Sequence, residues 1–145
     1  MTFHLREQDF DCMNATLLPT EQEVRDAVDV LVRFCHGKAV ANGWWHDLHT
    51  GESLLGRRNY GEMMMLAVSE LAESMEAWRK GLNDEKLPHR PGAEVELADL
   101  IIRVCDTAGA HGFDLPGALV EKARYNDIRE DHRPENRRRA GGKRC

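Results

Sequence analysis

The sequence predicts an all-α fold: a four-helix bundle-like core with an irregular N-terminal arm and a mobile basic C-terminal tail. Three observations predict it. Four segments carry apolar residues at helical spacing on one face. Cap signals mark their starts and stops, with Thr20-Glu21-Gln22-Glu23 and Asn59-Tyr60-Gly61-Glu62 before two of them and Asn42-Gly43 after the first. The connectors are rich in Gly, Pro, Asn and Asp, with no period of their own.

Residues 1–19 have no sustained period; Phe3, Leu5, Phe10, Leu17 and Leu18 make an irregular arm or a short hairpin. A Thr N-cap with Glu three residues on opens the first helix, Glu21 to Ala41, whose stripe is Val24, Val28, Leu31, Val32, Cys35 and Ala39. Residues 43–58 form a turn-rich connector containing Trp44-Trp45-His46. Adjacent tryptophans there serve either as anchors packed back onto helices or as a stacking surface for a nucleobase; the structural role is favoured. The second helix runs from Tyr60 to Lys80. Met64, Val68, Leu71, Met75 and Trp78 form its apolar face, while Glu70 falls among Met63, Leu66 and Ala77 rather than among the charged residues.

After a loop over 81–91 comes the third helix, from Gly92 to His111. It is apolar over most of its girth, which predicts the central and most buried position. Its one polar stripe (Glu96, Asp99, Arg103, Asp106 and Thr107) then lines something interior or a cleft. Asp114-Leu115-Pro116-Gly117 opens a fourth helix that fades near 130–133 and carries Lys122, Asn126 and Arg129 on one face. This gives one domain over 1–133, with a basic tail over 134–145.

Composition narrows the function classes. The 145 residues suit one domain, and 41% hydrophobic content suits a packed core. No apolar run approaches a membrane span and the N-terminus lacks a signal-peptide stretch, so a cytoplasmic protein without a membrane partner is expected. Cys12, Cys35, Cys105 and Cys145 form no C-x-x-C pair and fit free thiols in a reducing compartment. From His132 onward there are six Lys/Arg against one Glu, while the preceding 131 residues hold 14 basic and 24 acidic groups. An acidic body argues against nucleic acid as the main partner.

Two acidic pairs carry the chemistry. Ser69-Glu70-Leu71-Ala72-Glu73 and Glu96-Leu97-Ala98-Asp99 each place two carboxylates a turn apart on one helix face, on successive helices. A single i, i+3 acidic pair is ordinarily a solvated face. The recurrence, the apolar flanks of Glu70 and the isolation of the Glu96/Asp99 stripe favour a four-carboxylate cluster around cations. No E-x-x-H motif or His/Cys zinc spacing is present, so the ligand type suits Mg²⁺, with Mn²⁺ able to substitute. Lys122, Asn126 and Arg129 supply charge and hydrogen bonds for a polyphosphate.

The order helix-SELAE, loop, helix-ELAD, helix-KARYN resembles the MazG-like all-α nucleoside triphosphate pyrophosphohydrolases, over roughly residues 59–130. Their pattern is E-E-x-x-E followed by E-x-x-D. Glu70, Glu73, Glu96 and Asp99 match the four metal-ligand positions, and Lys122 and Asn126 match basic and amide positions on the last core helix. Ser69 stands where the family has its first Glu. Gly43-Trp44-Trp45-His46 and Pro88-His89-Arg90 look like a branch often encoded by phages and bacteria.

The resemblance implies metal-dependent hydrolysis of a (deoxy)nucleoside triphosphate to the monophosphate and pyrophosphate, by water attack at the α-phosphate. Glu70 and Glu73 are then catalytic as well as metal ligands. Lys122, Asn126 and Arg129 take the phosphates, Trp44 and Trp45 the base. The chain is expected to self-associate as a dimer or tetramer in the cytoplasm, that of the host if phage-encoded. Two alternatives stand beside this: a related pyrophosphohydrolase acting on a non-canonical nucleotide or phosphoribosyl-ATP, and a non-catalytic helical oligomer or nucleotide-binding regulator.

Overall fold

A computed structural model describes residues 18–141 and 143. The expectations for the N-terminal arm through residue 17, for Cys12 and for Cys145 fall outside them. The regular structure among the described residues is helical: α1 (Glu21–Ala41), α2 (Tyr60–Lys80), α3 (Gly92–His111), α4 (Leu115–Ile128), a 3-10 turn over Glu130–His132, and α5 (Pro134–Arg137). None of these helices is long and apolar enough to cross a membrane.

Two N-terminal caps are where the sequence puts them. Thr20 and Glu23 close a reciprocal capping box: Glu23 N donates to Thr20 Oγ1 at 3.2 Å and Thr20 N to Glu23 Oε2 at 2.7 Å. Asn59 Oδ1 accepts from Glu62 N at 3.2 Å and so starts α2. Gly81 and Gly112 end α2 and α3 with φ of 63° and 64°, values that favour glycine.

The chain divides into two units: residues 28–115, and a second combining 18–27 with 116–141 and 143. In the first, α2 and α3 form the principal helix pair and run antiparallel, with Ser74 near Ala93 and Glu70 near Arg103. Their contact is close because it uses small residues. A Cβ on Gly92 would lie 3.0 Å from that of Ala77, and Ser74 Oγ donates to Ala93 O at 3.1 Å.

The buried stripe of α2 is Met63, Ala67, Glu70 and Ser74. This corrects the expected face. Val68, Leu71, Met75 and Trp78 are 52–81% exposed instead, because α2 has two apolar faces and the one with small residues admits α3. The central position expected for α3 is corrected as well. Leu97, Ile101, Ile102 and Val104 remain 37–49% exposed, since its apolar girth exceeds what α2 covers.

α1 meets α3 at Gly109, where an added Cβ would lie 2.5 Å from the Cβ of His36. Beside this crossing, Cys35 and Cys105 are buried as free thiols hydrogen-bonded to each other. Burial raises the Cys35 thiol and pushes Cys105 up to about 11, which keeps both protonated and unreactive at neutral pH. The connector after α1 is an ordered turn. Leu54 N donates to Trp45 O at 2.8 Å, and Asp47 Oδ1 accepts from the amides of His49 and Thr50.

In the second unit, Arg124 pairs with Glu21 through both ends of its guanidinium, Nε lying 3.0 Å from Oε1. The stretch expected as a mobile tail contains α5. Pro134 occupies its first turn, and Asn136 Nδ2 donates to Glu130 O at 2.6 Å.

Two glycine substitutions separate close approach from helix propensity. Gly109→Ala is expected to lower unfolding free energy by about 1–3 kcal/mol, because His36 must move. Gly37→Ala on α1, where an added Cβ meets nothing within 4 Å among the described residues, is expected to raise it by about 0.5–1 kcal/mol. Urea denaturation of both variants checks the pair.

Candidate functional site

Helical periodicity puts Glu70 on the same face of α2 as Ala67 and Ser74, so pairing with α3 buries it to 6% exposure. α3 turns its polar stripe to meet it. One carboxylate oxygen from each of Glu70, Glu96 and Asp99 lies within 4.8 Å of the others. Arg103, one turn beyond Asp99, donates from Nε to Glu70 Oε1 at 2.5 Å.

Three carboxylates this close resist ionising together. The Glu96 carboxyl is raised to about 7, first by burial, then by the proton it shares with Glu70, then by the charges of Glu73, Glu70 and Asp99. In the metal-free chain Glu96 therefore keeps its proton to a higher pH than an ordinary carboxyl does. The donor set is all oxygen, partly buried and negatively charged, which fits a hard divalent ion such as Mg²⁺ or Mn²⁺ and not a soft one. A guanidinium already bound at Glu70 is itself a cation in residence. Glu73, expected as a fourth ligand, is exposed and outside the set of three, because one turn along α2 it rotates off the stripe facing α3. The Ser69 hydroxyl is tied to Leu66 O at 2.8 Å.

Asp99 also lines a pocket of about 650 Å³. Phe34 and Trp44 give it apolar and aromatic walls; Lys38, Arg58 and Arg103 give it positive charge. The tryptophan pair splits. Trp45 is 1% exposed and donates from Nε1 to Asp106 Oδ1 at 2.8 Å, the anchoring role. Trp44, 65% exposed, lines the pocket. Asp106 Oδ1 also accepts from His36 Nδ1 at 2.8 Å, so one carboxylate ties α1 and the connector to α3. The Arg58 guanidinium lies 5.0 Å from the centre of the Trp45 ring.

Lys122, Asn126 and Arg129 belong to the second unit. Lys122 Nζ sits 4.8 Å from the Tyr125 ring centre. Arg129 is engaged by Asp131, Nε to Oδ1 at 2.9 Å and Nη2 to Oδ2 at 2.6 Å. Among the described residues Asn126 Oδ1 is buried with no hydrogen-bond donor, a state that calls for a partner.

Sequence reasoning placed Arg103 and Asp106 on the polar stripe without giving either a role. Their spacing from Asp99, four and seven residues, was the available signal. Lys38 and Arg58 had no such signal, because each reaches the pocket from a different element. No family model, curated protein or solved structure matches the chain.

The raised Glu96 carboxyl fixes a pH dependence for the metal-free chain. Its proton is retained in the folded state and released in the unfolded state between the usual carboxylate value and about 7. Folded stability from this group therefore falls as pH rises through that window and is flat above it. Glu96→Gln keeps a donor toward Glu70 and cannot ionise. The melting temperature of the unsubstituted chain, relative to that of Glu96→Gln, is expected to drop by about 3 °C between pH 5 and pH 8, read by thermal denaturation in EDTA.

Proposed function

We propose that the chain is a divalent-metal-dependent pyrophosphohydrolase that cleaves a (deoxy)nucleoside triphosphate to the monophosphate and pyrophosphate. The observation that carries this reading is the convergence of Glu70, Glu96 and Asp99, with Asp99 on the wall of a pocket that also holds Lys38, Arg58, Arg103 and an exposed tryptophan. Carboxylates beside a pocket with basic and aromatic side chains suit a ligand that joins metal-bound phosphates to a ring. A helical bundle of the all-α NTP pyrophosphohydrolase type is part of this proposal.

In this reading Glu70, Glu96 and Asp99 hold the ion. When bound, Mg²⁺, or Mn²⁺ in its place, would supply Lewis acidity toward the α-phosphate and would lower the pKa of a water. Glu70 holds its carboxylate in a low-dielectric wall, where its charge acts more strongly than in water. Glu73 stands at the solvent side of the cluster and takes the proton of the attacking water. Trp44 stacks on the base, Trp45 fixes the connector that presents it, and Lys38 and Arg58 offset the negative charge of the substrate. Lys122, Asn126 and Arg129 stay in the proposal as phosphate-binding candidates on residue type and spacing.

A panel of dNTPs and NTPs with Mg²⁺ and pyrophosphate detection tests the reading. Turnover of at least one nucleotide is expected, falling about 10²-fold or more in Glu70→Gln and in Asp99→Asn. Full activity in both variants overturns the site assignment. Poor turnover of every canonical nucleotide favours a non-canonical nucleotide or phosphoribosyl-ATP. No turnover, with no metal effect on thermal stability, favours the non-catalytic reading.

The proposal includes self-association as a dimer or tetramer. Val68, Leu71, Met75 and Trp78 repeat along one face of α2 and are each more than half exposed. An exposed apolar stripe of this kind supports an interface with a second copy. Light scattering is expected to give a multiple of the chain mass, reduced to the single chain by Leu71→Glu with Trp78→Glu. A monomeric unsubstituted chain at micromolar concentration ends this part of the reading.

A further inference from the structure

We propose that Arg103 is an exchangeable counter-ion: it holds Glu70 in the metal-free chain, yields it when a divalent cation binds, and then serves the phosphates in the pocket it already lines. This rests on the metal-site reading above and adds a positioning residue that the acidic pairs do not contain.

The geometry carries the argument. Arg103 Nε and Glu70 Oε1 are 2.5 Å apart, yet the two side chains differ in exposure, 40% against 8%. Glu70 is buried at the helix pair, with an oxygen beside Glu96 and Asp99 and Oε1 held by Arg103. Arg103 is anchored at one end and open at the other. It borders the 650 Å³ pocket together with Asp99, Lys38 and Arg58, and also a hollow of about 30 Å³ beside Thr107. A divalent ion among Glu70, Glu96 and Asp99 would face the guanidinium at short range, and like charges that close repel strongly. Release from Glu70 leaves Arg103 solvated, because its side chain is already 40% exposed and lines the open pocket. Without a cation, Arg103 is the cationic partner that meets the buried carboxylate, which explains why an arginine lies on the stripe a turn beyond Asp99.

The experiment uses the full chain at pH 8. Electron paramagnetic resonance of free Mn²⁺ gives the metal affinity, and ¹⁵N spectra follow the Arg103 Nε–H signal, identified by its loss in Arg103→Gln. Three results are expected. Mg²⁺ shifts the Nε–H signal in the unsubstituted chain and not in Asp99→Asn. Arg103→Gln binds Mn²⁺ about tenfold more tightly, with Arg103→Lys close to the unsubstituted chain. With Mg²⁺ present, inorganic triphosphate binds Arg103→Gln about tenfold more weakly. A purely structural arginine lowers stability and moves neither affinity in these opposed directions. An Nε–H signal unmoved by Mg²⁺, together with unchanged Mn²⁺ affinity in Arg103→Gln, overturns the exchange while leaving the metal site standing, provided the unsubstituted chain binds Mn²⁺ and Asp99→Asn does not. An unsubstituted chain that binds no Mn²⁺ ends both.

Discussion

A carboxylate inside a helix–helix contact constrains everything around it. Glu70 lies on the stripe that α2 presents to α3, among Met63, Ala67 and Ser74, where apolar or small residues make the contact. Removing an unpaired charge from water costs several kcal/mol even after relaxation, and a whole domain is stable by only about 5–15 kcal/mol. The helix pair therefore depends on how that charge is met. Arg103 meets it from the opposite helix, and Glu96 stays partly protonated so that two neighbouring carboxylates need not repel. Both compensations come from one stripe of α3. The register of the two helices is thus set as much by this charge as by the small residues that let them approach.

The same stripe continues into the scaffold. One turn past Arg103, Asp106 accepts two hydrogen bonds on one oxygen, from His36 on α1 and from Trp45 in the connector. Gly109 allows α1 close enough for the first of these. Holding Trp45 inward fixes the connector, and its neighbour Trp44 is turned outward as a consequence. In chain order the stripe runs from the acidic cluster, through the arginine that neutralises it, to the carboxylate that assembles the pocket wall. Replacing any one of these residues changes the surroundings of the next.

The helices were legible because their signals are local. Thr20 and Glu23, and Asn59 and Glu62, are short-range caps, and each acts in the structure as its residue type requires. The exceptional position of Glu70 was legible for the same reason: a helical projection places it among apolar neighbours. The choice between the two apolar faces of α2 was not. It depends on which face α3 can approach, and that is decided by Ala67, Ser74 and Gly92 acting across sequence-distant elements. Projection weighs bulk, so it favoured Val68, Leu71, Met75 and Trp78. Glu73 was included with Glu70 because the motif pairs them, although i, i+3 spacing leaves enough rotation for one to be buried and the other exposed. Lys38 and Arg58 reach the pocket from separate elements, and no single-helix pattern relates them to Asp99.

The exposed apolar surface bears on the acidic cluster. Leu97, Ile101, Ile102 and Val104 flank the polar stripe of α3, and each is more than a third exposed. In the proposed oligomer a second copy covers such residues, and the polar stripe remains as a groove with apolar margins. Excluding water there lowers the effective dielectric around Glu96 and Asp99, which are less buried than Glu70. Charges in such a groove attract a divalent ion more strongly than on an open helix face, and the cost of leaving them without a cation rises in the same proportion. An arginine within reach of Glu70 then has a physical reason to be there: it keeps the metal-free chain assembled without occupying the cluster permanently, because its own outer face stays in the pocket and in contact with water.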